Sequence, residues 1–209
     1  MKVIEIFRSI QGEGYHTGTA AVFVRFAGCN LRCPFCDSKY TWKENVGFGE
    51  VSPEKLVNIV KDVSGEVRFV VLTGGEPTIQ STSALSDLVF RLKAESYYVA
   101  METNGTKLID RSLIPVDWLT VSPHTAIFHT QGDELKLVYE PGIDLKFYEQ
   151  FDFKYFYLQP MAKPSSLEWK KNVLDRGIIQ ENVEEVAKIV SRDPVWKLSL
   201  QTQKYVGIL

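Results

Sequence analysis

The chain has 209 residues, 44% of them apolar and 24% charged, with a formal net charge of −2. That is enough for one well-buried α/β domain of ordinary soluble composition. The near-neutral balance lacks the basic footprint of nucleic-acid binding, so no direct nucleic-acid partner is expected. The pair Lys170–Lys171 reads as a solvated face. The first residues do not read as a signal peptide, because Glu5 and Arg8 interrupt them before an apolar region can form. No apolar run approaches the ~18 residues of a membrane span, so no membrane partner is expected.

In chain order, Ala20–Phe26 is β-branched and aromatic, bounded by glycines, and predicts a strand. A cysteine-bearing loop follows it. Ser52-Pro53 supplies an N-cap and a first-turn proline, and Leu56, Ile59, Val60 and Val63 repeat behind it at helical spacing. Val67–Thr73 predicts a buried strand closed by Gly74-Gly75-Glu76-Pro77. Leu85, Leu88, Val89 and Leu92 mark a second amphipathic helix. Strands are then expected at Tyr97–Met101, Asp117–Val121, Leu135–Tyr139 and Lys154–Gln159. Asn182-x-x-Glu185 reads as a capping box with Asn182 as the cap, ahead of Val183, Val186 and Val190. Trp196–Gln201 predicts a last strand. Alternating strands and helices imply a parallel sheet wrapped by helices. Six or so strands are too few for a closed eight-stranded barrel, so the expected fold is a partial β/α barrel, open on one side, with its site at the carboxyl ends of the strands. A single domain spanning residues 1–209 is the simplest organisation.

Cys29, Cys33 and Cys36 are the three cysteines of the chain, and they fall within one short segment. Three thiols cannot all pair with one another, which excludes a disulfide framework. Without an export signal, they point to the reducing cytoplasm. Thiolates at these intervals suit a soft metal centre. A structural zinc site is the plainer alternative; it needs a fourth ligand, and His16 is the nearest histidine in sequence.

The spacing Cys-x3-Cys-x2-Cys, with Phe35 before the last cysteine and Asp37 after it, resembles the cluster motif of the radical S-adenosylmethionine (SAM) superfamily. That resemblance implies a [4Fe–4S] cluster on Cys29, Cys33 and Cys36, with SAM on the iron that lacks a protein ligand. Gly74-Gly75-Glu76-Pro77 resembles the superfamily's glycine-rich motif beside the methionine amino group.

Ser9-Ile10-Gln11-Gly12-Glu13-Gly14, Arg25, Thr73 and Gln201-Thr202-Gln203-Lys204 extend the likeness along the chain, which resembles the 7-carboxy-7-deazaguanine synthase family. The family converts 6-carboxy-5,6,7,8-tetrahydropterin to 7-carboxy-7-deazaguanine with loss of ammonia, for queuosine and related deazapurines. The resemblance implies that Ile10, Gln11, Gly12, Glu13, Arg25 and Thr73 bind substrate, with residues 1–18 contributing to that site. It places Phe35, Cys36, Asp37, Gly75, Ser122, Pro123, His124 and Gln159 against SAM. Ser38 falls at a Mg2+ ligand position, where the family more often has threonine. His124 stands where lysine is common, Gln203 where histidine is common, and Leu209 where some members end in proline. The implied partners are a one-electron donor such as a flavodoxin or ferredoxin and a second copy in a homodimer. The rival reading is an activating enzyme for a glycyl radical protein, which shares the cysteine spacing.

Overall fold

The computed structural model describes residues 1–43, 47–125, 127–163 and 177–208. Lys170, Lys171 and Leu209 lie outside the described residues. Among the described residues, nine strands form one sheet: β1 (Lys2–Ile10), β2 (Ala20–Phe26), β3 (Gly49–Glu50), β4 (Phe69–Gly74), β5 (Tyr98–Thr103), β6 (Trp118–Val121), β7 (Gln131–Tyr139), β8 (Asp152–Pro160) and β9 (Trp196–Leu198). Their order is β3-β1-β2-β4-β5-β6-β7-β8-β9. From β2 across to β9 every pairing is parallel, whereas β1 runs antiparallel to both β2 and β3. The helices are α1 (Pro53–Ser64), α2 (Thr82–Ala94), α3 (Leu145–Glu149), α4 (Gln180–Val190) and α5 (Thr202–Val206). This is the expected open β/α barrel. Among the described residues, no helix is long and apolar enough to cross a membrane.

Strand side chains alternate between two faces. One face carries Val22, Val24, Phe26, Val70, Leu72, Val99, Met101, Leu119, Leu135, Leu137 and Leu158, and it packs against Leu56, Val60, Leu85, Leu88 and Leu92 of the helices. Each fully buried aliphatic side chain there contributes roughly 1.5–3 kcal/mol. The other face turns inward and changes character along each strand. At the amino ends it is apolar, with Ala21, Phe23, Phe69, Val71, Ala100 and Trp118 in a second cluster. Towards the carboxyl ends the same face presents Arg25, Thr73, Glu102, Lys136 and Gln159 to a cavity.

Several sequence expectations need correction. β1 was not anticipated: it pairs Phe7 with Phe23 and Glu5 with Arg25, and so forms the antiparallel flank of the barrel. Asn182 is not a cap. α4 starts at Gln180 with Ile179 in the cap position, and the Asn182 amide instead donates to the Met161 carbonyl at 2.8 Å. The helix already runs through Asn182, whose N–H and that of Val183 both donate to the Ile179 carbonyl, at 3.1 and 3.2 Å. The last strand stops at Leu198; the Ser199 N–H still donates to the Leu158 carbonyl of β8 at 3.0 Å, and beyond it the Thr202 N–H turns to the Gly12 carbonyl.

Candidate active site

The cysteine loop leaves the carboxyl end of β2, and all three thiols line one cavity of about 280 Å³. The segment is turned by a Cys36 N–H to Cys33 carbonyl bond of 3.1 Å, and the Leu31 N–H approaches Cys29 Sγ at 3.4 Å. Burial pushes all three thiols above their ordinary pKa, and Cys33 is raised further by Cys36 and Cys29. Metal ligation needs the thiolates, so a cation bound here would have to displace these protons against that cost.

The glycine-rich turn after β4 shapes this loop. Gly75 lies so close to the loop's first turn that a Cβ on it would sit 1.7 Å from the Gly28 carbonyl oxygen. The Glu76 N–H donates to that same oxygen at 2.9 Å, and the Gly75 N–H donates to Phe26 at 3.0 Å. The glycines therefore admit another stretch of backbone, while Gly75 still borders the cavity. Glu76 is buried and accepts from the Thr78 N–H, Thr78 Oγ1, Thr103 Oγ1 and the Asn104 N–H at 2.7–3.0 Å. It pins the turn after β4 to the end of β5.

The floor comes from the loop after β1. Gln11 Nε2 donates to Glu102 Oε1 at 2.9 Å, and Thr73 Oγ1 donates to Glu102 Oε2 at 2.8 Å. Both Glu13 oxygens are bonded: Lys136 Nζ lies 2.5 Å from one, and Gln201 and Gln203 donate to the other at 2.9 and 3.1 Å. Burial opposes its charge, but Lys136 and the two amides outweigh it and hold the carboxyl at about 2. Burial likewise opposes the Lys136 ammonium, yet Glu13, Glu102 and Glu134 together hold its pKa above the ordinary value. Gly14, at φ +64°, passes directly over Glu134, and the Tyr15 N–H donates to Glu134 Oε2 at 3.0 Å. Burial raises the Glu134 carboxyl to about 7 against the pull of Lys136.

Arg25 occupies the rim. Its Nε donates to Glu5 Oε1 at 2.9 Å, and its Nη1 lies 3.3 Å from Ser38 Oγ. Ser38 Oγ in turn donates to Asp37 Oδ1 at 3.0 Å. On the opposite wall, Phe35 and His124 meet edge to face with ring centroids 5.1 Å apart. Burial, then Lys136, lowers the His124 imidazole to about 4, so it is neutral at pH 7.

The cavity thus gathers Ile10, Gln11, Gly12, Glu13, Arg25, Thr73, the three cysteines, Phe35, Asp37, Ser38, Gly75, Ser122, His124 and Gln159. Pro123 is the exception: it is buried between Ser122 and His124 and does not line the cavity. His16 lies elsewhere. Its ring packs against Trp118 and Phe69, 4.7 and 4.9 Å away, at the amino end of the barrel, and gives the cysteines no fourth zinc ligand. Glu102 and Lys136 were not singled out from sequence. Glu102 directly follows the expected strand Tyr97–Met101, and Lys136 is a charged residue inside the apolar run Leu135–Tyr139; a charge at such a position in a barrel strand is the signal that marks them.

Three thiols on a loop at the carboxyl end of an open parallel barrel, backed by a glycine turn, define a radical SAM protein, and the sequence profile of the Radical SAM superfamily matches residues 23–126. The 7-carboxy-7-deazaguanine synthase of Bacteroides thetaiotaomicron is 39% identical over 209 residues, covering 99% of this chain and 98% of that protein. The enzyme of the same name from Nitratidesulfovibrio vulgaris is 37% identical over 99% of this chain and 98% of its own. The crystal structure of QueE from Escherichia coli superposes with a TM-score of 0.72 at 26% identity, covering 96% of this chain and 93% of that one. The chain belongs to the 7-carboxy-7-deazaguanine synthase family. Radical SAM membership implies a [4Fe–4S] cluster and SAM, and the chemistry of the lining fits both: three thiols bordering one cavity for the cluster, and the Phe35–His124 pair bordering the same cavity for SAM.

Proposed function

We propose that the protein converts 6-carboxy-5,6,7,8-tetrahydropterin to 7-carboxy-7-deazaguanine with loss of ammonia. The observation that carries this reading is the polarity of the cavity, a guanidinium at the rim and a carboxylate at the floor. Arg25 suits a substrate carboxylate, since its fork can hold an anion bidentately. Glu102 suits the amino-pyrimidine edge of a pterin. Gln11 and Thr73 orient both of its oxygens while leaving acceptor capacity on each.

When bound, the cluster and SAM supply one-electron cleavage to a deoxyadenosyl radical. The chain's part is to place the substrate and to exclude water. Arg25 and Glu102 fix its two ends. Glu13 bonds Lys136, Gln201 and Gln203 and so holds the floor loop in shape, and its Oε2, with one bond, keeps acceptor capacity for the pterin. Ser38 Oγ beside Arg25 offers a hydroxyl for a Mg2+ shared with the substrate carboxylate, the ion keeping its remaining waters. The rest of the reading is a single domain spanning residues 1–209, with residues 1–18 forming part of the pterin site. It acts as a cytoplasmic homodimer fed by a flavodoxin- or ferredoxin-like one-electron donor.

The test is anaerobic assay of the reconstituted protein with carboxypterin, SAM and a reductant. The carboxypterin should be depleted without stoichiometric consumption of SAM, and deuterium on its carboxylate-bearing carbon should enter the adenosyl group. Label arriving instead from a glycine of a partner protein would establish the activase reading in its place.

A further inference from the structure

The floor loop and the cysteine loop are joined through one side-chain amide. Gln201 Nε2 lies 2.9 Å from Glu13 Oε1 and 3.0 Å from Asp37 Oδ2. An amide nitrogen carries two hydrogens, so each carboxylate receives one. Gln201 Oε1 accepts from Lys204 Nζ at 2.7 Å, which fixes the amide's orientation. The flipped amide would set its nitrogen against an ammonium and its oxygen against two carboxylates. Lys204 Nζ also lies 3.4 Å from Asp37 Oδ2. The backbone holds this arrangement in place, with the Thr202 N–H donating to the Gly12 carbonyl at 2.9 Å.

The two carboxylates belong to different binding loops. Glu13 follows Gln11 and Gly12, which border the floor, and Asp37 follows Cys36. We propose that Gln201 is a positioning residue that couples these loops, so that a pterin on the floor and SAM beside the cysteines each strengthen the other's binding. The inference rests on the pterin reaction proposed above. Two carboxylates facing one another repel, and the amide with the Lys204 ammonium supplies the donors that hold them in one arrangement. A ligand that orders one loop therefore orders the other through Gln201, and the second ligand meets a loop already in place. Such coupling is reciprocal by linkage.

The test is equilibrium titration of cluster-loaded protein under anaerobic conditions without reductant, so that nothing turns over. SAM affinity is measured with and without saturating 6-carboxy-5,6,7,8-tetrahydropterin, and the reverse titration checks reciprocity. In the unaltered protein each ligand should tighten the other by roughly 10-fold. Gln201→Leu should abolish that factor while each ligand still binds alone. Gln203→Leu, which loses a bond to Glu13 alone, should weaken the pterin and leave the factor intact. If Gln201→Leu does not fold, Lys204→Met removes the anchor of the amide oxygen and should lower the factor. An unchanged factor in either coupling variant overturns the proposal, as does its absence in the unaltered protein when both ligands bind. SAM binding with no carboxypterin binding at all would instead refute the proposed reaction, and the coupling with it.

Discussion

Glu134→Gln should make the protein more heat-stable at pH 8 than the unaltered chain, and the gain should vanish towards pH 5. Glu134 lies on the inner face of β7 beneath Gly14, with the Tyr15 amide, Glu102 and Lys136 around it. Its carboxyl titrates near 7 when folded, against an ordinary value of 4.5. At about 1.36 kcal/mol per pKa unit, this gap makes ionisation cost the native state about 3 kcal/mol. Because the folded pKa is the higher one, the native protein binds more protons than the unfolded chain between pH 4.5 and 7. Its stability therefore falls as pH rises through that window and levels off above it. A glutamine keeps an acceptor for the Tyr15 N–H and carries no charge, so the variant lacks this slope.

His124, held at about 4 by burial and Lys136, works in the opposite sense between pH 4 and 6.5. It does so in both proteins and cancels in their difference. For a chain of this size about 3 kcal/mol corresponds to about 6–12 °C in midpoint. Anaerobic scanning calorimetry of the cluster-loaded proteins at several pH values from 5 to 8 measures this difference. Parallel midpoints across that range would refute the reasoning.

Three further outcomes follow from the same contacts. Gly75→Ala drives a methyl into the Gly28 backbone, where overpacking costs roughly 1–3 kcal/mol; anaerobic absorbance near 400 nm should show reduced cluster loading, and calorimetry weaker SAM binding. Glu76→Gln turns an amide NH2 towards one of the donors that the carboxylate now accepts, at a cost of about 2 kcal/mol; the midpoint should fall by about 4–8 °C. Arg25→Lys loses the planar fork and a charge-assisted bond at the rim, so the KM for carboxypterin should rise about 10- to 100-fold with a much smaller change in SAM affinity.

The parallel strands were legible because each is a short apolar run closed by a polar or glycine-rich segment. The cysteine loop was legible because its spacing is chemically restrictive. β1 was not, because Lys2–Ile10 mixes apolar and charged residues and lies at the sheet's flank, where pairing with β2 rather than its own alternation makes it a strand. The Asn182 capping pattern failed because the backbone turns helical earlier, at Gln180, so the first helical bonds go to the Ile179 carbonyl and Asn182 lies inside the helix. Within the site, a motif shows which residues gather but not which of them are already spoken for. Glu13, expected at the substrate, also ties its loop through both oxygens to side chains from β7 and the segment after β9, which no motif reveals. Glu102 drew no attention in sequence, yet Gln11 and Thr73 converge on it.

The meeting of Gly75 with Gly28 has a consequence for protein engineers. The cysteine segment takes its curvature from a turn encoded more than forty residues later, across the β2–β4 register that sets Phe26 beside Gly74. Transplanting the eight residues Cys29–Cys36 into a foreign scaffold would carry the ligands without the mould that shapes them. A portable unit needs both strands in register, each with its own turn, and the end of β5 with the turn after it, whose Thr103, Asn104 and Thr106 hold Glu76 and Asn30.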